Sequence, residues 1–486
     1  MLTFIEPYWP YVLFLLSLLL GATAAIHAAM TKEEVRSAIG WVGIIILSPI
    51  VGALLYFIAG VNRIRRSAIA DRRFLLQGHV REHFDSYDAT NELVAERFGG
   101  RFAAMKTLGD RVTSHTLTTG NTIGMLTTGD DAYRAMLRAI DGASRSILLE
   151  TYIFDRDRIG RRFAEALIEA VKRGVVVRVL IDAVGARYSV PSVLGMLRDG
   201  GVMVDVFNGN VIMGLRLPYA NLRTHRKIMV VDGSVAFTGG MNIREGFSGE
   251  FHGNACSGDT HFEVSGPVVA DIFAVAAADW RFATGEDLDG ETWQILPPVT
   301  DPGSPVAIRA VSSGPDRNVE TNHKMLMGGF SIARRTIRIV SPYFLPDREL
   351  ITALITAARR GVEVDIVVPQ SNNLTLVDRA MTGQFDQLLK NYCRIWRASG
   401  AFDHSKLLVI DGCWAFVGSS NLDPRSLRLN FEVDLEVMDV SFAQGLERRI
   451  DITISSARQV TLESLRNRPF AARLLDRILW LGSPYL

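Results

Sequence analysis

The feature that most constrains this chain is an eighteen-residue string that occurs twice. Residues 225–242 read HRKIMVVDGSVAFTGGMN, and residues 404–421 read HSKLLVIDGCWAFVGSSN. A match in register across eighteen positions is not a chance event, so the chain contains a duplicated unit. Each copy carries four polar residues at the same offsets, which are His225, Lys227, Asp232 and Asn242 in the first copy and His404, Lys406, Asp411 and Asn421 in the second.

The sequence around the two strings repeats in the same order of elements. Apolar strand-like segments such as SILLETYIF and VVVRVLID alternate with amphipathic helical segments such as GRRFAEALIEAVKRG. The second half repeats this order with IRIVSPYF, LITALITAARRG and VEVDIVV, so that Tyr152 falls opposite Tyr343. Strands that alternate with helices predict an α/β fold with a parallel or mixed sheet. The offset between the halves is too long for a solenoid repeat, so we predict one domain present twice.

Composition and the position of the strings predict the domain boundaries. Proline and glycine concentrate in LPPVTDPGSP, so we place the boundary between the halves near residues 290–304. Residues 465–486 predict an amphipathic C-terminal helix, for which docking on the domain is favoured over membrane contact. The predicted parts are a connector at 67–125, a first lobe at 126–295 with its motif at 219–246, and a second lobe at 304–486 with its motif at 398–425.

Residues 1–66 have the composition of a transmembrane hairpin. The segments 10–30 and 38–61 contain no Lys, Arg, Asp or Glu, and each is about long enough to cross a bilayer. Pro49 is expected to kink the second span. The alternative is a cleaved signal peptide, which is disfavoured because a second span follows at once and Glu6, not a basic residue, precedes the first.

Basic residues are unevenly distributed around the two spans. Lys32 and Arg36 lie between the spans, whereas five arginines follow them within residues 63–73. By the positive-inside rule, this distribution predicts that the large C-terminal part of the chain is cytoplasmic.

The residue types in the repeated string suit a phosphodiester substrate. Residues two apart in a strand share a face, so each histidine and the lysine that follows it are predicted to lie side by side. Lysine and asparagine donors would neutralise phosphate oxygens, one histidine would attack phosphorus, and the other would protonate the leaving alcohol. Because the lysines supply the positive charge, we expect no metal and no other cofactor.

Carboxylates near the strings are predicted to have supporting roles. Asp232 and Asp411 belong to the catalytic string, but each precedes a glycine in an expected two-residue turn, and fixing that turn is favoured over substrate contact. A nucleophilic histidine must be neutral and held in one tautomer, commonly by a carboxylate. The repeat places Asp259 opposite Glu432, about 30 residues after the respective histidines. We predict that these two support the histidines, the alternative being solvent-facing strand residues.

Composition disfavours a nucleic-acid-binding protein and a protein with a structural metal. The formal net charge is +1 and 22% of residues are charged, so no basic field indicates a nucleic-acid partner. The three cysteines are widely spaced, which is typical of a reducing compartment. No further pair completes a zinc pattern around His252, Cys256 and His261, so no structural metal is expected.

The string HxKxxxxD, followed by a glycine-rich pair and an asparagine and present twice, resembles the signature of the phospholipase D superfamily. The two apolar spans, ETYIFD, THRKIMVVDG, HSKLLVIDG, GSSNLDPRSLRLNFE and the terminal SPYL are similar to the bacterial cardiolipin synthases within it. The resemblance implies two α-β-α lobes that share one active site, preceded by the two-helix hairpin. It also implies a multi-pass protein of the bacterial inner membrane.

The resemblance further implies a reaction and its substrates. In such families the first-motif histidine, here His225, forms a phosphohistidine, and His404 acts as general acid and base. The implied reaction transfers a phosphatidyl group from one phosphatidylglycerol to a hydroxyl of another and yields cardiolipin and glycerol. The implied partners are phospholipids and the bilayer, without nucleic acid.

One stretch departs from the family pattern and leaves the acceptor alcohol open. Many cardiolipin synthases follow the first motif with a sequence like GDEY, whereas this chain has NIREGFSGEFHG at 242–253. The alternatives are a phospholipase D-type hydrolase, or a phosphatidyltransferase with another donor or acceptor such as phosphatidylethanolamine. A nuclease is disfavoured because no basic groove with stacking aromatics is evident. A non-enzymatic scaffold is disfavoured because both strings are intact.

Overall fold

The computed structural model describes residues 8–32, 35–60, 85–208, 222–296, 306–316 and 318–483. The chain divides into an N-terminal unit within residues 1–64 and a larger unit that contains both copies of the repeated string. The arginines within 63–73 and most of the predicted boundary at 290–304 lie outside the described residues.

The N-terminal unit consists of α1 (Trp9–Thr31), α2 (Val35–Leu47) and α3 (Pro49–Leu55), which ends in a π-helical turn at Tyr56–Gly60. Among the described residues, α1 alone is long and apolar enough to cross a membrane. The segment predicted as a kinked second span is divided at Ser48, because Pro49 lacks the backbone N–H that would continue α2 and begins α3 instead. Within this unit His27 Nδ1 lies 2.7 Å from the Tyr56 hydroxyl.

The larger unit begins with two helices, α4 (Asn91–Phe98) and α5 (Gly100–Val112), and continues into the first lobe. The elements of the first lobe are β1 (Thr122–Leu126), α6 (Gly129–Gly142), β2 (Ser146–Thr151), α7 (Arg158–Lys172), β3 (Val176–Asp182), α8 (Val193–Asp199), β4 (Met203–Phe207), β5 (Arg223–Thr224), β6 (Ile228–Val231), β7 (Val235–Gly239), α9 (Gly249–His252), β8 (His261–Ser265) and α10 (Val268–Thr284).

The described strands of the first lobe form a mixed sheet in the order β1-β8-β7-β6-β2-β3-β4. Strands β2, β3 and β4 are parallel, as the strand–helix alternation predicts, and β6, β7 and β8 add antiparallel neighbours. Ile147 and Leu149 on β2 face a core formed with α6, α7 and α8. Helix α10 contacts the sheet and is buried from Val268 to Trp280, which explains why this stretch is apolar apart from Asp271 and Asp279.

The second lobe repeats this architecture. Its described strands follow the order β16-β12-β11-β10-β13-β14-β15-β5, and β9 also pairs with β15. The short strand β5 belongs to the first lobe, so this pairing joins the two lobes. The elements are β9 (Ala307–Ser313), α11 (Thr321–Ile332), β10 (Thr336–Val340), α12 (Arg348–Arg359), β11 (Glu363–Pro369), α13 (Thr375–Leu389), β12 (Arg394–Ala398), β13 (Leu407–Ile410), β14 (Trp414–Gly418), α14 (Pro424–Arg428), β15 (Asn430–Met438), α15 (Val440–Ser456), β16 (Arg458–Val460), α16 (Leu462–Arg466) and α17 (Phe470–Leu481).

The hydrogen bonds of the two lobes correct one detail of the predicted alignment. The bridge from Phe154 to Ile243 corresponds to the bridge from Phe344 to Leu422. This correspondence makes Tyr343 the structural equivalent of Ile153 and not of Tyr152, so the match of the two tyrosines is wrong by one residue. The sequence alignment shifted because the second lobe has a proline where the first has Tyr152.

The segment predicted as a connector contributes to the core of the second lobe. Phe102 and Met105 on α5 are buried in one cluster with Met325 and Phe330 on α11. Arg101 on the same helix donates a hydrogen bond of 2.5 Å to the second lobe's Asp411. The connector helices are therefore part of the second lobe, although they precede the first lobe in the chain.

Candidate active site

Each copy of the string forms a β-hairpin closed by its aspartate. The Asp232 carboxylate accepts backbone N–H bonds from Ser144, Arg145 and Ser146 at 2.8–2.9 Å, where β2 begins. Asp411 accepts the equivalent bonds from residues 334–336 at 2.7–3.0 Å. Both aspartates have positive φ angles of 51° and 53°. Their carboxylates bind backbone N–H groups at the turn, which is the role that the sequence favoured over substrate contact for these two members of the string.

The turns are also one residue longer than predicted. The Ser234 N–H bonds the Val231 carbonyl at 3.0 Å and so closes a turn around Asp232 and Gly233. Strand pairing, however, starts at Val231 with Val235, which leaves Ser234 as a third loop residue.

The histidine and lysine of each copy lie just before the hairpin and not within it. Strand β6 begins at Ile228, one residue after Lys227, and β13 begins one residue after Lys406. The Lys227 ammonium donates to the carbonyl of His225 at 2.5 Å. The Lys406 ammonium donates to the carbonyl of His404 in the same way. Each lysine therefore lies beside its histidine, although the two residues precede the strand in which they were predicted.

Each histidine is held by a carboxylate from the opposite lobe. His225 Nδ1 lies 3.0 Å from the Glu432 carboxylate, and His404 Nδ1 lies 2.9 Å from Asp259. The backbones cross in the same way: the His225 N–H bonds the Phe431 carbonyl at 2.9 Å, and the His404 N–H bonds the Gly258 carbonyl at 2.7 Å. The structure thus places both predicted carboxylates on the histidines, but exchanged between the lobes.

Small residues at the end of the hairpins make room for these carboxylates. A Cβ on Gly240 would lie only 2.5 Å from an Asp259 carboxylate oxygen. In the second lobe the equivalent residue is Ser419, whose hydroxyl donates to Glu432 at 2.6 Å. Asp259 and Glu432 are both fully buried, so each carboxylate is held in one position beside its histidine.

Burial and the lysine charges favour neutral histidines. Burial, followed by the positive charge of Lys227, lowers the pKa of His225 well below its usual value. Burial and the charge of Lys406 lower the pKa of His404 to about 4, against the opposing effect of Asp259. Burial also lowers the pKa of Lys227 to about 7 and that of Lys406 to about 8. Neutral imidazole is the form that can attack phosphorus.

The two supporting carboxylates differ in charge at neutral pH. Burial raises the pKa of Glu432 to about 7, with Lys227 opposing the effect. Burial also acts to raise the pKa of Asp259, but the His404 hydrogen bond and the Lys406 charge outweigh it and hold that pKa below its usual value. His404 therefore faces an ionised carboxylate, whereas His225 faces one that is partly protonated.

One pocket of about 500 Å³ between the lobes is lined by both histidines. Both predicted asparagines also line it. The Asn242 side-chain oxygen accepts the Ile153 N–H at 3.1 Å, and the Asn421 amide donates to the Ser426 hydroxyl at 3.3 Å. Because Nδ1 of each histidine is bound to a carboxylate, Nε2 is the ring nitrogen available to a substrate.

Sequence reasoning missed two kinds of pocket residue. Tyr152 lies with its ring centroid 5.1 Å from that of His225, and Tyr343 lies 6.0 Å from His404. Three arginines also line the pocket, namely Arg223, Arg244 and Arg425. The tyrosines were visible in the repeat, whereas the arginines occupy positions that the two halves do not share.

The divergent loop at 242–253 lines the pocket with Arg244, Gly246 and Phe247. The Phe247 ring centroid lies 6.2 Å from that of His404 in the other lobe. Helix α7 holds the loop, because Arg158 pairs with Glu245 at 2.8 Å and Arg162 pairs with Glu250 at 2.7 Å. In the described part of the chain, no group of three or more His, Cys, Asp or Glu side chains is suited to a metal ion.

Two lobes that each bring a motif histidine to one pocket, with the motif lysine beside it, define the class of the phospholipase D superfamily, and comparisons with known proteins agree. A family model described as "Cardiolipin synthase, PLD-like domain" matches residues 136–250 and again 329–453. A second model, described as the phospholipase D-nuclease N-terminal region, matches residues 19–60.

Two curated relatives narrow the assignment from the superfamily to one family within it. The cardiolipin synthase of Alkalihalophilus pseudofirmus is 31% identical over 450 residues, which cover 92% of this chain and 88% of the relative. Cardiolipin synthase A of Pseudomonas putida is 31% identical over 486 residues and 99% of both chains. The chain therefore belongs to the bacterial cardiolipin synthases of the phospholipase D superfamily, as its motifs predict.

A solved structure supports the fold independently. The phosphatidylserine synthase of Haemophilus influenzae has a TM-score of 0.58 and 17% identity, and it covers 79% of this chain and 100% of that chain. At this identity the likeness shows the fold alone. The predicted fold class of two phospholipase D-like lobes is thereby confirmed.

Proposed function

We propose that this enzyme is a phosphatidyltransferase that joins two phosphatidylglycerol molecules into cardiolipin and releases glycerol. The observation that carries the proposal is one pocket lined by two carboxylate-bound histidines and three arginines, with a lysine beside each histidine. Joining two anionic phospholipids requires two phosphates in one site. A hydrolase, which holds one phospholipid phosphate at a time, gives less use to the arginines that line the pocket.

In the first half-reaction His225 Nε2 attacks the phosphorus of the donor lipid. The bond from phosphorus to the headgroup glycerol oxygen breaks, and His404, which takes up a proton once the anionic substrate is bound beside Lys406, gives its Nε2 proton to that oxygen. Free glycerol and a phosphatidyl-histidine result. Lys227 and Lys406 lie beside the two histidines, where they can offset the charge that develops on the non-bridging oxygens.

In the second half-reaction His404 takes the proton from a hydroxyl of the acceptor phosphatidylglycerol. The hydroxyl oxygen attacks phosphorus, the bond between phosphorus and His225 Nε2 breaks, and cardiolipin leaves. Arg244 lies on the divergent loop at the pocket, where it can bind the second phosphate. Water in place of the acceptor hydroxyl would give phosphatidic acid.

The different charges of the carboxylates support these roles. A general acid must become an imidazolium, and the ionised Asp259 stabilises that form at His404. A bound phosphate would further offset the charge of Lys406, one of the causes that lower the pKa of His404. The partly protonated Glu432 gives less support to an imidazolium, which suits a nucleophile that must stay neutral. The family resemblance assigns the same roles.

The enzyme is membrane-associated, as its family and its apolar α1 indicate. We further infer a bacterial inner-membrane protein with two spans, and with the catalytic unit on the cytoplasmic side. The excess of arginines within 63–73 over the basic residues between the spans supports this orientation.

The test is to incubate the purified full-length enzyme with phosphatidylglycerol labelled separately in its headgroup glycerol and its acyl chains. Equal amounts of free glycerol and cardiolipin are expected, and His404→Ala serves as the inactive control. Phosphatidic acid as the main product would replace this proposal with a hydrolase. Cardiolipin that forms only after phosphatidylethanolamine is added, with release of ethanolamine, would identify another donor.

A further inference from the structure

Helix α17 exposes apolar side chains where a docked surface helix normally exposes polar ones. Its inner side is fixed to α13: the buried Asp476 pairs with Arg379 at 3.3 Å and with Arg468 at 2.5 Å. A Cβ on Gly383 of α13 would lie 2.7 Å from the Asp476 carbonyl. The outer side carries side chains spaced four and three residues apart that are exposed by 72, 48, 54 and 72%, namely Phe470, Leu474, Ile478 and Leu481.

A basic groove of about 440 Å³ lies beside this outer face, between α13, α16 and α17. Its two acidic residues, Asp386 and Asp476, are already paired with basic neighbours. Arg466 and Arg473 form no ion pair in the described part of the chain. The basic residues that line the groove are Lys390, Arg466, Arg468, Arg473 and Arg477.

The groove and the apolar face form one surface, because Phe470 and Leu474 line both. Arginines next to exposed apolar side chains match the chemistry of an anionic phospholipid, whose phosphate and acyl chain lie side by side at a membrane surface. A second copy of this chain is a poorer occupant, because self-docking would bring arginines against arginines.

This surface is linked to the substrate pocket through α13. Leu374, directly before α13, and Val377 in its first turn line the pocket that holds the histidines. Leu374 and Leu376 are also exposed, so apolar side chains occur at both sites that α13 connects. A contact between α17 and a bilayer would therefore hold the pocket close to the lipids from which its substrates come.

We propose that the outer face of α17 lies in the headgroup region of an anionic bilayer, with phospholipid headgroups bound in the arginine groove. This contact is additional to the N-terminal apolar helices. It is independent of which acceptor the enzyme uses.

A fluorescent probe on residue 478 of the full-length protein tests the contact directly. Cys393 is buried, whereas Cys256 and Cys413 are partly exposed, so Cys256→Ser/Cys413→Ser gives a background in which no native thiol is accessible to the probe. In that background Ile478→Cys carries an environment-sensitive probe. Ile452→Cys, at a 71% exposed position on α15, is the matched control.

The labelled protein is placed in nanodiscs of phosphatidylcholine and phosphatidylserine with brominated acyl chains. We expect a blue-shifted and quenched probe at position 478 and an unquenched probe at position 452. A probe at 478 that stays as water-exposed as the control would overturn the proposal. A blue shift in lipid-free detergent that grows with protein concentration would overturn it in favour of a second copy.

Removal of two arginine charges tests whether the groove binds phospholipid headgroups. The double variant Arg466→Gln/Arg473→Gln should lower the ratio of docked to undocked probe on the order of tenfold in these nanodiscs. Its synthase activity in detergent micelles should stay at the wild-type level. The exposed pair Arg161→Gln/Arg198→Gln on the first lobe is the control and should change neither measurement. Unchanged docking in the groove variant would contradict headgroup binding there.

Discussion

The two active-site histidines are each held through the ring and through the backbone by the opposite lobe. A bound Nδ1 fixes the tautomer and the orientation of the ring, so Nε2 is presented to the pocket without further ordering. At the residue scale, the orientation of both histidines therefore depends on contacts between the lobes.

Removal of either histidine should abolish useful turnover, but for different reasons. His404→Ala should lower kcat roughly 10²–10⁴-fold, the usual contribution of an acid or base, and His225→Ala should lower it more. Rapid acid-free quenching with phosphorus-labelled donor lipid should trap labelled protein in His404→Ala and none in His225→Ala. His323→Ala, a control outside the pocket, should keep normal turnover. Labelled His225→Ala protein would assign the nucleophile to His404.

The pH dependence of kcat/KM should follow the charge of the two active-site lysines. A lysine with a lowered pKa loses its charge as the pH rises through that pKa, so with values of about 7 and 8 the enzyme should lose kcat/KM above neutral pH. Lys227→Met should cost roughly 10–100-fold in kcat/KM at pH 6, where Lys227 is charged. The same variant should differ little from the wild type at pH 9. A ratio of wild-type to Lys227→Met kcat/KM that stays constant between pH 6 and 9 would show that catalysis does not use the Lys227 charge.

The duplication identified most residues of the site but not how they pair. His225, Lys227 and their second-lobe equivalents stood out because each copy confirmed the other. Which carboxylate reaches which histidine depends on how the lobes face each other, and sequence spacing carries no such information. Arg244 was missed for a related reason: its equivalent in the other half is Asp423, so the repeat drew no attention to it.

At the scale of elements, the hairpin in each lobe is a support and not the site itself. The aspartate turn binds the start of the neighbouring strand, and the histidine and lysine lie in the extended segment that precedes the hairpin. The alternation of side chains along a strand predicted that each histidine shares a face with the lysine that follows it. It could not show that strand pairing starts only after the lysine, because the apolar pattern is the same in both arrangements.

The connection after β7 should tolerate no side chain at Gly240. Gly240→Ala would place a methyl group 2.5 Å from the Asp259 carboxylate and displace it from His404. We expect kcat to fall roughly 10²-fold or more, as for loss of a positioned general acid. Gly142→Ala, at a position with open space, is the control and should keep full activity. Wild-type kcat in Gly240→Ala would mean that Asp259 is not needed to orient His404.

On the scale of the whole molecule, the elements do not pack together in the order in which they occur in the chain. Helices α4 and α5 precede the first lobe but complete the core of the second, more than 200 residues away in sequence. The weak pattern of residues 67–125 gave no sign of this, because a helix that fills a gap in a distant core needs only a few apolar residues. The periodic strands and helices of the two lobes, in contrast, were predictable from local pattern.

The packing of α5 predicts a distant effect on stability. Phe102 is fully buried in the second-lobe core, so Phe102→Ala should lower the free energy of unfolding by about 3–5 kcal/mol. Denaturant titration of the detergent-solubilised full-length protein measures the change, and limited proteolysis should show the second lobe cleaved first. Glu96→Ala, on the exposed side of α4, is the control. Preferential cleavage of the first lobe would contradict the assignment of α5 to the second.

The exchange of carboxylates between the lobes has a consequence for how this duplicated gene product can change. Had each repeat paired its own histidine with its own carboxylate, a change in one carboxylate would have affected only the histidine of the same half. Because the pairs are crossed, damage to Asp259 or Glu432 disables the histidine of the other half. A change in either half therefore reaches the other, and the two strings keep His, Lys, Asp and Asn at the same offsets.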